Sequence, residues 1–111
     1  MSQGYQVVFT SCPTQQCAEQ IAGQLVTQKL AACVTMLPQA LSVYEWEGEV
    51  VTDHEVLLLI KTTTANIDAL FTTIKAAHPY VTPELIGVSI SQGSDDYLQW
   101  LDQITKGSTH S

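Results

Sequence analysis

A chain of 111 residues has room for one domain, and with 45% apolar against 14% charged residues it is too hydrophobic to remain disordered in water. Eleven Asp and Glu against four Lys and Arg leave a net charge of −7, which excludes nucleic acid as a partner because no basic cluster exists to displace counterions from phosphates. The first residues carry no basic-then-apolar leader, Val56–Ile60 is far too short an apolar run to span a bilayer, and three cysteines are an odd number for a disulfide framework. A reducing cytoplasm and no membrane partner are expected.

Tyr5–Thr10 is β-branched and aromatic and predicts a strand. Ser11-Cys-Pro-Thr breaks it, and a helix is expected from Pro13 or Thr14 with Cys17, Ala18, Ile21, Ala22, Leu25 and Val26 on one face. Cys33–Trp46 follows, interrupted at Pro38 and strand-like from Leu41 onward. Glu47-Gly48 supplies a turn, glycine being free to take positive φ. Glu49–Thr63 then returns, so the two segments read as a long β-hairpin with arms of ~35–40 Å at ~3.3 Å per residue. A bulge near Pro38 would shorten it.

Thr64 is positioned to cap a second helix, with Asp68 near its positive end and Ile67, Leu70, Phe71 and Ile74 on its buried face. His78-Pro79 ends that helix, since proline pushes the preceding residue out of the helical region. Leu85–Ser91 predicts a last strand. Ser94 then opens a third helix carrying Tyr97, Leu98, Leu101 and Ile104. The order is β-α-β-β-α-β plus a terminal helix, an α+β ferredoxin-like antiparallel sheet. It forms one domain over residues 1–107, with a loosely held tail at 108–111.

Right-handed crossovers put both main helices on one face of the sheet, leaving the other bare. A sheet with one wet face should alternate apolar and polar residues, yet Glu55-Val-Leu-Leu-Leu-Ile-Lys61 is aliphatic on both faces. Such a surface in water forfeits ~25 cal/mol per Å² and exceeds what monomers usually expose. Self-association is expected.

Lys29-Leu-Ala-Ala-Cys33, Tyr44-Glu-Trp-Glu-Gly48, Lys61-Thr62 and His78-Pro-Tyr-Val-Thr-Pro-Glu84 stand in the order and spacing of one family. Asp96-Tyr97-Leu98 and Trp100-Leu101 extend the match. On these residues, from about Val7 to Ile104, the chain resembles the CutA-type divalent-cation tolerance proteins. The resemblance implies a PII-like homotrimer of ferredoxin-like subunits, cytoplasmic, linked to tolerance of copper (Cu2+) and other divalent cations, with no organic cofactor. It also implies a cleft between subunits near Cys33, Trp46, Glu47, Lys61, Tyr80 and Glu84.

For metal, His78 is the first candidate, because neutral imidazole suits copper and zinc. In some members of the family two histidines and a cysteine make a copper site. Here Ala77 replaces one histidine and Thr10 stands at the cysteine position, leaving Cys12 as the substitute thiol. The competing reading has His78 ending a helix and bonding to backbone. His54 and His110 have no neighbouring ligands in sequence. Cys12 and Cys17 form a C-x4-C pair that reads as core cysteine more readily than as a metal pair. Cys33 reads as a small hydrophobe or a reactive thiol.

Lys61 closes an aliphatic strand, where a carboxylate such as Glu84 or Glu55 is its expected partner. Tyr80 and Trp46 suit a cleft or an interface equally. No nucleophile–base–orienter set and no Gly-rich phosphate loop is present, so the chain is expected not to be an enzyme. The sequence leaves three functions open: a metal-binding trimer, a PII-like sensor of a small anionic ligand with Lys61 as its charge partner, and a scaffold for partner proteins.

Overall fold

The computed structural model describes residues 4–106; the 108–111 tail, the domain limit at 107 and His110 lie outside them. Eight residues of β1 (Tyr5–Cys12) lead into α1 (Gln15–Thr27), whose first turn is capped by Thr14 Oγ1 accepting from the Cys17 amide at 3.1 Å. Then come β2 (Cys33–Trp46) and β3 (Glu49–Thr63), α2 (Ile67–Ala77), β4 (Ile86–Ser89) and α3 (Asp95–Lys106). The sheet order is β2-β3-β1-β4, all antiparallel, as the ferredoxin-like reading requires.

The side chains sort by parity. Val56, Leu58 and Ile60 of β3 are buried with Val8 and Cys12 of β1. They pack against Ala18, Ile21, Ala22 and Leu25 of α1 and against Leu70 and Ile74 of α2 in one core. The odd-numbered residues of β3 point to the other face, and those from Glu55 to Lys61 are only half-buried. There Val7 and Phe9 of β1 pair with Val88 and Ile86 of β4, and Ile86 is 51% exposed. The bare face inferred from the unbroken aliphatic run is therefore real in the isolated chain. α3 packs against β3 and buries Leu101, but Tyr97 and Trp100 remain exposed.

Four local expectations are corrected. Thr64 does not cap α2. Thr64–Asn66 forms a 3-10 turn, α2 begins at Ile67, and the Thr64 hydroxyl instead accepts from Gln6 Nε2 at 3.3 Å. The last strand is shorter than Leu85–Ser91, because β1 offers it partners only from Gln6 to Phe9. Val26 is exposed rather than buried, since the apolar stripe of α1 is satisfied by Ala18, Ile21, Ala22 and Leu25. On α3 only Leu101 is buried.

The hairpin is long and also bulged. Its two-residue tip has Glu47 at φ 50° and Gly48 at φ 84°, the left-handed pair that suits the twist of the strands. Between Leu37 and Ala40 the register slips, with Gln39 at φ 62°. Before the slip Cys33, Thr35 and Leu37 oppose Lys61, Leu59 and Leu57; after it Ala40, Ser42, Tyr44 and Trp46 oppose Glu55, Asp53, Val51 and Glu49. The extra residue therefore turns Ser42, Tyr44 and Trp46 to the bare face.

Candidate functional site

That turn builds a cleft. Ser42, Tyr44 and Trp46 from β2 and Asp53 and Glu55 from β3 form its floor. Ser11 and the segment Pro79–Thr82, with Glu84, close it from the other side, enclosing about 1050 Å³. The loop lies there because His78 anchors its start. The buried His78 ring has Nε2 2.7 Å from the Ser11 carbonyl, and its Nδ1 accepts from the Tyr80 amide at 3.1 Å. A carbonyl only accepts, so Nε2 carries the proton and the ring is the neutral tautomer with its lone pair on Nδ1. Tyr80 stacks obliquely on that ring, with centroids 4.8 Å apart.

Three hydroxyls of the cleft serve two of its carboxylates. Tyr80 donates to Glu55 Oε2 at 3.2 Å, Ser42 donates to Glu55 Oε1 at 2.7 Å, and Tyr44 donates to Asp53. Partial burial first, and then the Glu55 carboxylate, push the Tyr80 phenol up to about 12. The hydrogen bond to Asp53 raises Tyr44 in the same direction. Both phenols therefore stay protonated donors across the physiological range. Among the described residues no Lys, Arg or His lines this wall.

The residues singled out in the sequence divide. Trp46, Tyr80 and Glu84 line the cleft; Glu47 sits at the hairpin tip, away from it. Cys33 and Lys61 are cross-strand partners beyond the bulge. Lys61 Nζ donates to Thr35 Oγ1 at 2.5 Å and lies 3.9 Å from Cys33 Sγ, so its partner is a hydroxyl and not the expected Glu84 or Glu55. The half-buried ammonium is tolerated because it keeps some water and a hydrogen bond. Ser11, Ser42, Tyr44, Asp53 and Glu55 were missed as a set. The alternation Ser42-x-Tyr44-x-Trp46 opposite Asp53-x-Glu55 was the available signal.

His78 and Cys12 do not fit a metal. The one lone pair of His78 is engaged by the Tyr80 amide and its N–H by Ser11. Cys12 is fully buried in the core; burial first, then its neighbour Cys17, push its thiol up to about 12, far from the thiolate that a metal needs. Thr10 is likewise buried, its Oγ1 without a hydrogen-bond partner among the described residues. Among those residues no group of three or more His, Cys, Asp or Glu is placed to hold a metal ion. Among the described residues no helix is long and apolar enough to cross a membrane.

A four-stranded ferredoxin-like sheet with two helices on one face, a long bulged hairpin and a cleft on the other face defines an α+β class of small domain. The family model described as "CutA1 divalent ion tolerance protein" matches residues 6–104. The chain belongs to the CutA1 divalent ion tolerance family. It is 45% identical over 100 residues to the divalent-cation tolerance protein CutA of Thermus thermophilus, covering 90% of this chain and 97% of that one. It is 40% identical over 103 residues to mouse Protein CutA, covering 93% of this chain but only 58% of the mouse protein's length. Among solved structures, CutA1 from Oryza sativa superposes with a TM-score of 0.91 at 43% identity, covering 95% of this chain and 96% of that one.

Proposed function

We propose that the protein works as a cytoplasmic homotrimer that supports tolerance of divalent cations, copper among them, through weak and reversible cation binding and without a catalytic step. The observation that carries this reading is the apolar surface the chain leaves uncovered. Leu41, Val43 and Val50 share the hairpin face opposite the cleft, with Val43 66% and Val50 78% exposed. Leu37, Ile86 and Val88 add to the bare face of the sheet. At ~25 cal/mol per Å² such a surface favours burial against identical copies, which closed symmetry supplies. Three-fold closure is what the likeness to PII-type trimers implies. The cytoplasmic part of the reading rests on three cysteines that are all free thiols.

Weak binding is proposed because the donor set argues against a tight centre. The net charge of −7 gathers cations at the surface, while His78 is already committed to backbone. Sedimentation velocity at micromolar concentration is expected to give a trimer, and Ile86→Asp with Val88→Asp to shift it toward monomer; a well-folded lone subunit from the unaltered chain would overturn the assembly. Titration of the tag-free protein with Cu2+ is expected to give binding in the millimolar range that His78→Ala changes by less than about twofold. Submicromolar binding abolished by His78→Ala would overturn the weak-binding reading. Because the ring bridges Ser11 and Tyr80, His78→Ala is expected instead to lower stability by about 1–3 kcal/mol.

A further inference from the structure

Cys12 and Cys17 stand apart from the cleft, on the helix side of the sheet. Cys12 closes β1 with its side chain fully buried in the core, and Cys17, half-buried in the first turn of α1, packs against that core. Covering the bare face with other copies therefore leaves both as they are. The two thiols are free of disulfides and are hydrogen-bonded to each other. Cys33, by contrast, lies beside Lys61 on the other face of the sheet.

What brings the two sulfurs together is local and held at both ends. Only Pro13 to Gln16 separate them in the chain. Cys12 is fixed in the ladder opposite Val56, while the Cys17 amide donates to Thr14 Oγ1 and the Ala18 amide to the Thr14 carbonyl, each at 3.1 Å. A bond between the sulfurs closes a short loop whose shape folding has already set. Their surroundings give them different parts. Pro13, Thr14, Gln15 and Gln16 are exposed, so the Cys17 sulfur is the one that a small molecule reaches from water. Cys12 is shut off from water, and its thiol, pushed up to about 12 by burial first and then by Cys17, keeps its proton. A hydroperoxide is small and uncharged, so neither the partial burial of Cys17 nor the net charge of −7 keeps it out. Oxidised glutathione, bulky and anionic, is disfavoured on both counts.

We propose that Cys12 and Cys17 are a reversible dithiol–disulfide pair oxidised by hydroperoxides, with Cys17 attacking and Cys12 resolving. The Cys17 sulfur takes one peroxide oxygen as the O–O bond breaks, giving a sulfenic acid and releasing an alcohol, or water from hydrogen peroxide. The Cys12 sulfur then displaces the sulfenic hydroxyl. The S–S bond forms, the S–O bond breaks, and the Cys12 proton leaves with the hydroxyl as water. The two electrons lost by the sulfurs reduce the peroxide, and a dithiol reductant returns them. A transient bond of this kind suits a reducing compartment. The inference stands apart from the assembly and metal readings, because it rests on residues that serve neither.

The test treats the reduced, full-length protein with hydrogen peroxide beside a metal chelator, alkylates the remaining thiols and maps them by mass spectrometry. The expected product has lost two hydrogen atoms, joins Cys12 to Cys17 within one chain, and reverts with dithiothreitol. Cys12→Ser is expected to trap Cys17 as a sulfenic acid that dimedone captures, and Cys17→Ser to slow oxidation of Cys12 by at least about tenfold. Cys33→Ser is expected to change the rate of disulfide formation by less than about twofold, and oxidised glutathione to form the bond at least about tenfold more slowly than peroxide. A disulfide through Cys33 in place of the Cys12–Cys17 bond, equal rates with the two oxidants, a bond formed only in urea, or no Cys12–Cys17 bond would each overturn the proposal. Should either serine variant at Cys12 or Cys17 fail to fold by near-UV circular dichroism, the map of the unaltered protein decides.

Discussion

Truncation of Leu58 to alanine is expected to destabilise the protein by about 3–5 kcal/mol. Leu58 is fully buried at the middle of β3, opposite Thr10 on one side and Met36 on the other, beneath α1 and α2. The cost falls in the upper part of the usual range because β3 is hydrogen-bonded on both edges and cannot move inward to fill the space. Its neighbours Leu25, Leu70 and Ile74 are held on helices that pack against one another and are themselves fully buried. Urea unfolding at fixed chain concentration measures it, since an oligomer's apparent stability depends on concentration. A loss below about 1 kcal/mol would show that the core relaxes around the site. Leu57→Ala serves as the contrast: that side chain is half-buried on the bare face, so its cost is expected to depend on concentration more steeply.

Alkaline destabilisation is expected to trace largely to Cys12. Its thiol, buried in the core and next to Cys17, is raised from 9.0 to about 12. Below pH 9.0 the thiol is protonated in folded and unfolded chains alike, so its contribution is fully present. Between 9.0 and about 12 the unfolded chain releases the proton while the folded chain retains it. Stability therefore falls with rising pH, by up to about 1.4 kcal/mol per pH unit, until the folded thiol also ionises. Tyr80 moves in the same direction from 10.0 to about 12, but it is partly open to water and contributes less. Cys12→Ala leaves a small cavity that lowers stability at every pH, so the slope above pH 9.0 is the decisive quantity. The variant's slope is expected to be shallower; identical slopes would mean that the thiol titrates alike in both states.

Local chemistry made much of the scaffold legible. The helix expected from Pro13 or Thr14 starts at Gln15 with Thr14 as its cap, Glu47-Gly48 makes the hairpin tip, and His78 before Pro79 ends α2. Each of these depends on residues within a few positions of one another, which is the range over which backbone propensity acts. The motifs from Lys29 to Glu84 carried the family for a similar reason, because they are runs of consecutive residues. Thr64 shows the limit even at short range: its hydroxyl is taken by Gln6, a residue on another strand.

The amino-acid sequence by itself determined the order of elements, the aliphatic surplus on β3 and the family. Tertiary structure alone decided which residues share the cleft. A single extra residue between Leu37 and Ala40, where Pro38 marks the bulge, reverses the face on which Ser42, Tyr44 and Trp46 stand, and only the closed sheet shows which side chains that reversal brings together. It also decided that Lys61 meets Thr35 and Cys33 instead of a carboxylate, and that both nitrogens of His78 are occupied. The Lys61–Thr35 and His78–Ser11 contacts join residues dozens of positions apart, whose geometry exists only once the sheet has closed.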